Sequence, residues 1–204
     1  MRLRHACEWD LTAHSHILDR VPTDTKIRPA TVGDAEAIAQ VHVESWRVGY
    51  RGLLADELLA RLSVAERESM WRRRLNGEDE RHHDRRVDVA VDRDGTIVGF
   101  AVTGPSQEQD GPAPSVGEVY AMYVHPDHWS LGVGQALMRS VIDHLAASGL
   151  TAALLWVLAS NTRARRFYEG TGWTWDGRTK TKRLGGLPDF DSEVEEICYR
   201  RQLS

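Results

Sequence analysis

Tyr123-Val124-His125-Pro126-Asp127-His128-Trp129-Ser130-Leu131-Gly132-Val133-Gly134-Gln135-Ala136-Leu137 is the stretch on which the reading of the fold turns. An apolar strand ends at Val124, a loop containing Pro126 turns the chain, and two glycines open an apolar helix that ends at Gly149. The first N–H groups of such a helix have no partner within it, and its dipole is positive at that end, so a phosphate or pyrophosphate suits the position. Glycine lets the backbone approach the phosphate oxygens where a side chain would hold it away. Two glycines alone could equally ease a turn. A Walker-type loop would require Gly-Lys-Ser/Thr, whereas Gly134 is followed by Gln135-Ala136. A dinucleotide fold would require a third glycine at 137, which is Leu, and an acidic end to the next strand, which ends Val157-Leu158-Ala159.

Working outward, Lys26-Ile27-Arg28 reads as a short strand, and Ala37, Ile38, Val41 and Trp46 recur at helical steps after Thr31-Val32-Gly33-Asp34. A second helical region runs from Leu58 through Leu62 to Trp71 and Leu75, with Ser63 as N-cap and Glu66 three residues on. The charged segment 78–86 is a surface loop. Val87, Val89 and Val91 alternate with polar residues, Asp94-Gly95 makes a hairpin turn, and Ile97 to Thr103 returns. A loop rich in Pro, Gly, Ser and Gln, expected to be mobile, spans Gly104 to Ser115. The fourth strand is Glu118 to Val124, and the fifth, Ala152 to Leu158, is apolar enough to be buried on both faces. Asn161 to Gly170 is a short helix, Trp173 to Trp175 a sixth strand and Val194 to Arg201 a terminal one. This order predicts a mixed α/β sheet with a right-handed crossover from the fourth strand to the fifth.

The chain of 204 residues suits one ordinary domain, residues 25–204, preceded by an extension over 1–24 with no clear period. Lys and Arg total 26 against 30 Asp and Glu, a net charge of −4, so a nucleic-acid partner is not expected. The one compact basic run, Arg72-Arg73-Arg74, is answered by Glu78-Asp79-Glu80 and reads as a solvated helix end. Cys7 and Cys198 belong to no metal-ligand spacing and are expected as free thiols in a reducing cytoplasm. Charges interrupt the N-terminus, and no apolar run reaches membrane-spanning length, so neither export nor a membrane partner is expected.

The glycine stretch resembles the coenzyme A motif of the GNAT acetyltransferase superfamily, Gln/Arg-x-x-Gly-x-Gly/Ala after a strand ending in a Val-x-Pro-like turn. The likeness continues in Asn161-Thr162-Arg163-Ala164-Arg165-Arg166-Phe167-Tyr168-Glu169-Gly170-Thr171-Gly172-Trp173, similar to that family's Asn-xx-Ala-xx-Phe-Tyr-x-x-x-Gly-Phe signature. It covers roughly Lys26 to Leu203. One departure is plain: the family's Gln or Arg falls on Trp129, so its polar side-chain role is expected to be lost while backbone binding of phosphate survives.

The resemblance implies a GNAT fold, a mixed sheet of about seven strands flanked by helices, with the fourth and fifth strands splayed to hold the cofactor. It implies acetyl-coenzyme A as cosubstrate and no metal. Leu131, Gly132, Val133, Gly134 and Gln135 would surround the pyrophosphate. Backbone groups of Met122, Tyr123 and Val124 would pair with the pantetheine arm like an added strand, and Asn161 would hydrogen-bond a pantetheine amide or cap its helix. Acyl transfer to an amine needs a proton removed from an ammonium and benefits from a donor to the departing thiolate. Glu118 stands where the histone-acetyltransferase branch carries its general base; the alternative is a solvated strand-edge carboxylate. Tyr168, a phenol protonated at neutral pH, is the candidate acid; the alternative is a packing residue.

His125 and His128 read as surface histidines, and His82-His83 as solvated. Trp46, Tyr50 and Trp71 read as core, with one or two able to line the acceptor site. With no cysteine or serine in a nucleophile setting, direct transfer in a ternary complex is expected. The acceptor is expected to be a small-molecule amine; a protein N-terminus or lysine, or a coenzyme A-binding module without turnover, are the alternatives. A homodimer is compatible with this reading.

Overall fold

The computed structural model describes residues 25–106, 116–183 and 193–203. The expected extension 1–24, Cys7 with it, and positions 107–115 of the glycine-proline loop lie outside the described residues. One sheet has the strand order β1-β2-β3-β4-β5-β7-β6. Its strands are β1 (Lys26–Pro29), β2 (Arg86–Val91), β3 (Ile97–Pro105), β4 (Val116–Val124), β5 (Ala152–Leu158), β6 (Thr174–Arg183) and β7 (Glu193–Gln202). The α-helices among the described residues are α1 (Ala35–Gly49), α2 (Asp56–Ala60), α3 (Val64–Leu75), α4 (Val133–Ala147) and α5 (Thr162–Gly170). Neighbouring strands are antiparallel except β4 and β5, which run parallel and are joined by α4. This is the mixed α/β architecture expected.

Alternation along β2 and β3 divides the core into two layers. Val87, Val89, Phe100 and Val102 meet Ala35, Ile38, Ala39 and Val41 of α1 and Trp71 of α3. Ala90 and Ala101 face the other way, joined by Val98 at the register shift between Ala90 and Val91, onto Val133, Leu137, Met138, Val141 and Leu145 of α4. Full burial of such a side chain is worth roughly 1.5–3 kcal/mol. The N-terminus of α4 is therefore fixed by its packed face, not by the loop before it. The second helical region divides into α2 and α3, and the Ser63 hydroxyl accepts the Glu66 N–H at 3.3 Å, as a cap should.

Two strands differ from the sequence reading. β3 continues through Gly104 and Pro105 because these pair with Glu118 and Gly117. β6 runs to Arg183 instead of ending at Trp175. It is an edge strand, exposed along nearly its whole length, and its register shifts between Trp175 and Thr179 around Gly177 at φ 89°. A strand polar on both faces leaves no hydrophobic alternation to read.

The feature that makes the site is a parting of strands. β4 and β5 pair only from Val116↔Ala152 to Val119↔Leu155. Immediately beyond, Val102 pairs with Ala121 and Thr103 with Val119, so Tyr120 is the extra residue of a β-bulge. Above it β4 stays with β3, β5 stays with β7, and the two diverge as the resemblance implied.

Candidate active site

The opening between β4 and β5 is a cavity of about 510 Å³, closed on one side by the last turns of α1 and on another by α4 and α5. The His125 N–H bonds Val98 O at 2.8 Å. Alternate residues of an antiparallel ladder face their partner, so Tyr123 exchanges backbone hydrogen bonds with Phe100, while the peptide groups of Met122 and Val124 turn toward the cavity. Val124 O already accepts from Ser45 Oγ at 3.0 Å and Trp129 Nε1 at 2.7 Å. The open edge is therefore the Val124 N–H and both groups of Met122. Tyr123, expected to join through its backbone, has only its side chain to offer.

At the mouth, Gly132 caps α4 at φ 87°, a left-handed conformation that suits glycine, and no side chain caps the first turn. The first helical bond returns from Ala136 N to Gly132 O at 3.0 Å, so the earlier N–H groups of α4 are available. Gly132, Gly134 and Gln135 line the cavity. Leu131 and Val133 do not: Leu131 is 48% exposed, and Val133 packs under the helix in the core. Each can contribute only backbone there, because the helix face that meets the sheet claims Val133. A Cβ on Gly134 would stand 3.2 Å from Phe167 Cε2, so this glycine also admits α5. Ser130, with φ 62°, carries the left-handed turn before Gly132.

Asn161 Oδ1 accepts the Ala164 N–H at 3.1 Å and so caps α5, leaving its amide NH₂ as the group the cavity can use. The Arg163 guanidinium lies 3.2 Å over the Trp129 ring. Trp129 also passes close to Gly49 of α1. The polar role expected to vanish at position 129 is thus replaced: the indole N–H holds Val124 O and its face carries a cation. His125 is not a free surface residue, since its Nε2 bonds Glu44 of α1, and His128 lines the cavity. Three residues apart and turned differently, the pair is divided between a structural contact and the site.

Glu118 and Tyr168 both line this one cavity. The Ser106 hydroxyl donates to Glu118 Oε2 at 3.3 Å. Tyr168 packs against Phe167, Trp173 and Tyr199 with ring centres 5.5, 6.4 and 6.1 Å away. Burial, then the neighbouring Tyr123, pushes its phenol well above the ordinary value, so it stays protonated. Burial likewise raises Tyr50 and Tyr123.

Toward the other end lie Trp46, Tyr50 and Leu54 from α1 and the turn after it, and Trp156, Lys180, Lys182 and Glu196 from β5, β6 and β7. Sequence reasoning allowed for Trp46 and Tyr50. It missed Arg163, whose signal was its place inside the Asn161 motif, and missed Lys180 and Lys182 because β6 was cut short.

A parallel strand pair opened by a bulge, with an uncapped helix N-terminus at its mouth, is an arrangement suited to an extended, phosphate-bearing cosubstrate. Residues 50–173 match the model of the Acetyltransferase (GNAT) family, and the chain belongs to that family. It is 34% identical over 137 residues to the uncharacterised N-acetyltransferase YuaI of Bacillus subtilis, a match covering 66% of this chain and 72% of that one. It is 40% identical over 89 residues to the mycothiol acetyltransferase of Paenarthrobacter aurescens, covering 43% of this chain but only 27% of that longer protein. The PaiA N-acetyltransferase of Thermoplasma acidophilum, solved in complex with coenzyme A, shares the fold with a TM-score of 0.64 at 18% identity, over 87% of this chain and 98% of that one. The protein is an acetyl-coenzyme A-dependent acyltransferase. No helix among the described residues is long and apolar enough to cross a membrane.

Proposed function

We propose that the chain transfers an acetyl group directly to a primary amine of a small molecule, both substrates being bound at once. The observation that carries this reading is that Glu118 and Tyr168 stand on the wall of the same cavity as the open edge of β4 and the N-terminus of α4. Acetyl-coenzyme A, when bound, supplies the activated acyl group and a thiolate leaving group. The α4 N–H groups and Arg163 would hold its phosphates, Met122 and the Val124 N–H its pantetheine amides, and the Asn161 amide NH₂ a pantetheine carbonyl. The glycine backbone at 132 and 134 fits that group.

Glu118 draws the proton from the acceptor ammonium, directly or through water, since only the free amine is a nucleophile. Tyr168 gives a proton to the thiolate, a role supported by the burial that keeps its phenol protonated. No cysteine lines the cavity among the described residues, which supports direct transfer over a covalent relay. A cavity of about 510 Å³ shared with a pantetheine arm favours a small acceptor. The test is thiol release from acetyl-coenzyme A across a panel of amines, with mass spectrometry of the acceptor. Amine-dependent release with one acetyl added is expected. Binding of coenzyme A without release for any amine, peptides included, would mark a non-catalytic module instead.

A further inference from the structure

The groups that would hold acetyl-coenzyme A come from β4, α4 and α5, whereas another side of the cavity is closed by Ser45, Trp46, Gly49 and Tyr50 at the end of α1. That wall is the one left for the acceptor amine. Its distance from the acyl group then depends on what holds the end of α1. Packing against β2 and β3 takes in Ala35, Ile38, Ala39 and Val41, all in the first half of the helix, and His42 stacks on Tyr123 just after them. In the second half, Val43, Trp46 and Tyr50 join a separate cluster with Leu54, Leu58 and Leu158. Arg47 reaches away from β4, to Leu62 O at 2.7 Å.

Two polar ties fix this second half to the end of β4. Consecutive residues of the helix meet consecutive residues of the other chain segment: Ser45 Oγ donates to Val124 O at 3.0 Å, and Glu44 accepts from His125 Nε2. Both partners of the second tie are oriented by further bonds. His125 Nδ1 accepts the Asp127 N–H at 3.3 Å, which leaves the ring proton on Nε2, facing Glu44. The His125 N–H is held by Val98 O at 2.8 Å. On the helix, Glu44 Oε1 accepts from Gln40 Nε2 at 3.1 Å, so both carboxylate oxygens are engaged. An exposed pair of flexible side chains contributes little, because ordering them offsets the contact. Here both side chains are partly buried and already ordered. The α4 N-terminus does not depend on them, since Val133, Leu137 and Val141 anchor that helix in the core. Loosening the tie would therefore shift the α1 wall and leave the phosphate site in place.

We infer that Glu44 and His125 are positioning residues for the acceptor: their contact sets the end of α1, and with it Trp46 and Tyr50, against the open edge of β4. This rests on the amine-acceptor reading above. The cavity is lined by neither side chain, so both act through the wall they hold.

The experiment follows thiol release at saturating acetyl-coenzyme A with spermidine, glucosamine, leucine and 2-phenylethylamine. The fastest of these is then carried through Glu44→Ala, His125→Ala, the double variant, and the conservative Glu44→Gln and His125→Gln. Each alanine variant is expected to lower kcat/KM for the amine about tenfold, chiefly through KM, because a small displacement of a group that places substrate has effects of this order. The Kd of coenzyme A, by calorimetry, should stay nearly unchanged. The double variant should be no worse than either single one, since both remove the same contact. The glutamine variants, which keep an acceptor at 44 and a donor at 125, should recover most of the loss. Alanine variants that lower Tm but keep the full kcat/KM would make the pair structural only and overturn the inference. A coenzyme A Kd that rises as far as kcat/KM falls, or additive losses in the double variant, would overturn it too. In each of these cases amine acetylation stands. An unaltered chain that releases thiol with none of the four amines overturns both.

Discussion

Arg163 of α5 lies flat over the indole of Trp129, 3.2 Å from the ring, while the same indole donates to Val124 O at 2.7 Å. One tryptophan thereby ties the end of β4 to a cation beside the α4 N-terminus. Partial burial draws the guanidinium pKa down from its ordinary value, yet arginine remains charged at neutral pH. Such a preset cation is suited to a phosphate. Arg163→Ala is expected to raise the Kd for coenzyme A about tenfold, equivalent to about 1.4 kcal/mol. The effect should narrow as salt rises, since the mouth is open to solvent. Calorimetry at low and high ionic strength checks it; an unchanged Kd at low salt would remove Arg163 from phosphate binding.

Gly134 faces two demands at once. Phosphate needs the bare backbone of the first turn of α4, and Phe167 needs the space a Cβ would take, 3.2 Å from its ring edge. Gly134→Val should therefore weaken acetyl-coenzyme A binding well over tenfold, and it should also lower Tm by a few degrees through pressure on α5. Gly134→Ala should show the binding loss with a smaller change in Tm. Calorimetry paired with thermal unfolding separates the two; full affinity in either variant would show that the backbone at 134 does not meet the cofactor.

The parts of this site legible in the sequence are those with local causes. Gly132 and Gly134 after an apolar strand, and Asn161 before Ala164, announce themselves by residue type and spacing, and the structure puts them on one cavity. The opening of β4 from β5 depends on a bulge at Tyr120, a residue that nothing in its own type marks as extra. Lys180 and Lys182 were hidden for a different reason. They sit on an edge strand that is polar on both faces, so no alternation revealed the strand, and only pairing with β7 brings them to Glu196. His125 and Glu44 meet across 81 positions of sequence, a separation that no periodicity spans.

His42 is pressed among Trp46, Trp71, Phe100 and Tyr123, and its Nδ1 accepts from Trp71 Nε1 at 3.3 Å. Desolvation first, then Arg67 and Arg74, lowers its pKa to about 3. Folded protein thus binds this proton less readily than unfolded chain, whose histidine titrates near 6.5. Its contribution to stability is complete above the unfolded pKa and is lost as pH falls from about 6.5 toward 3. Asp34, held near 2 mainly by its Arg28 hydrogen bond, loses its contribution only below about pH 4. Between pH 7 and 4.5, His42 alone should cost about 2 kcal/mol of unfolding free energy. Urea unfolding of His42→Gln should show lower stability at pH 7 but a flatter acid slope. Parallel slopes for the two proteins would refute the assignment.

Glu118 and Tyr168 can be told apart by what each does to rate and pH. If Glu118 removes the ammonium proton, Glu118→Gln should reduce kcat roughly 10²-fold or more and leave the Kd of acetyl-coenzyme A nearly unchanged. Tyr168→Phe keeps the ring among Phe167, Trp173 and Tyr199, so its Tm should move little. Its kcat should fall about ten- to a hundredfold, less than at Glu118, because a thiolate with a pKa near 8.5 can leave without help. An acyl donor with a more acidic thiol should restore much of that loss. The sign of the pH effect follows from the raised phenol: Tyr168 keeps its proton above pH 10, where a free tyrosine would lose it, so it adds no alkaline fall to kcat below that pH. The same shift favours the folded state fully below pH 10 and is lost only as pH rises further. If Tyr168→Phe worked at full rate with every donor, the proton would have to come from water, and the tyrosine would be a packing residue. If Glu118→Gln kept full turnover across pH, the carboxylate would serve only its strand.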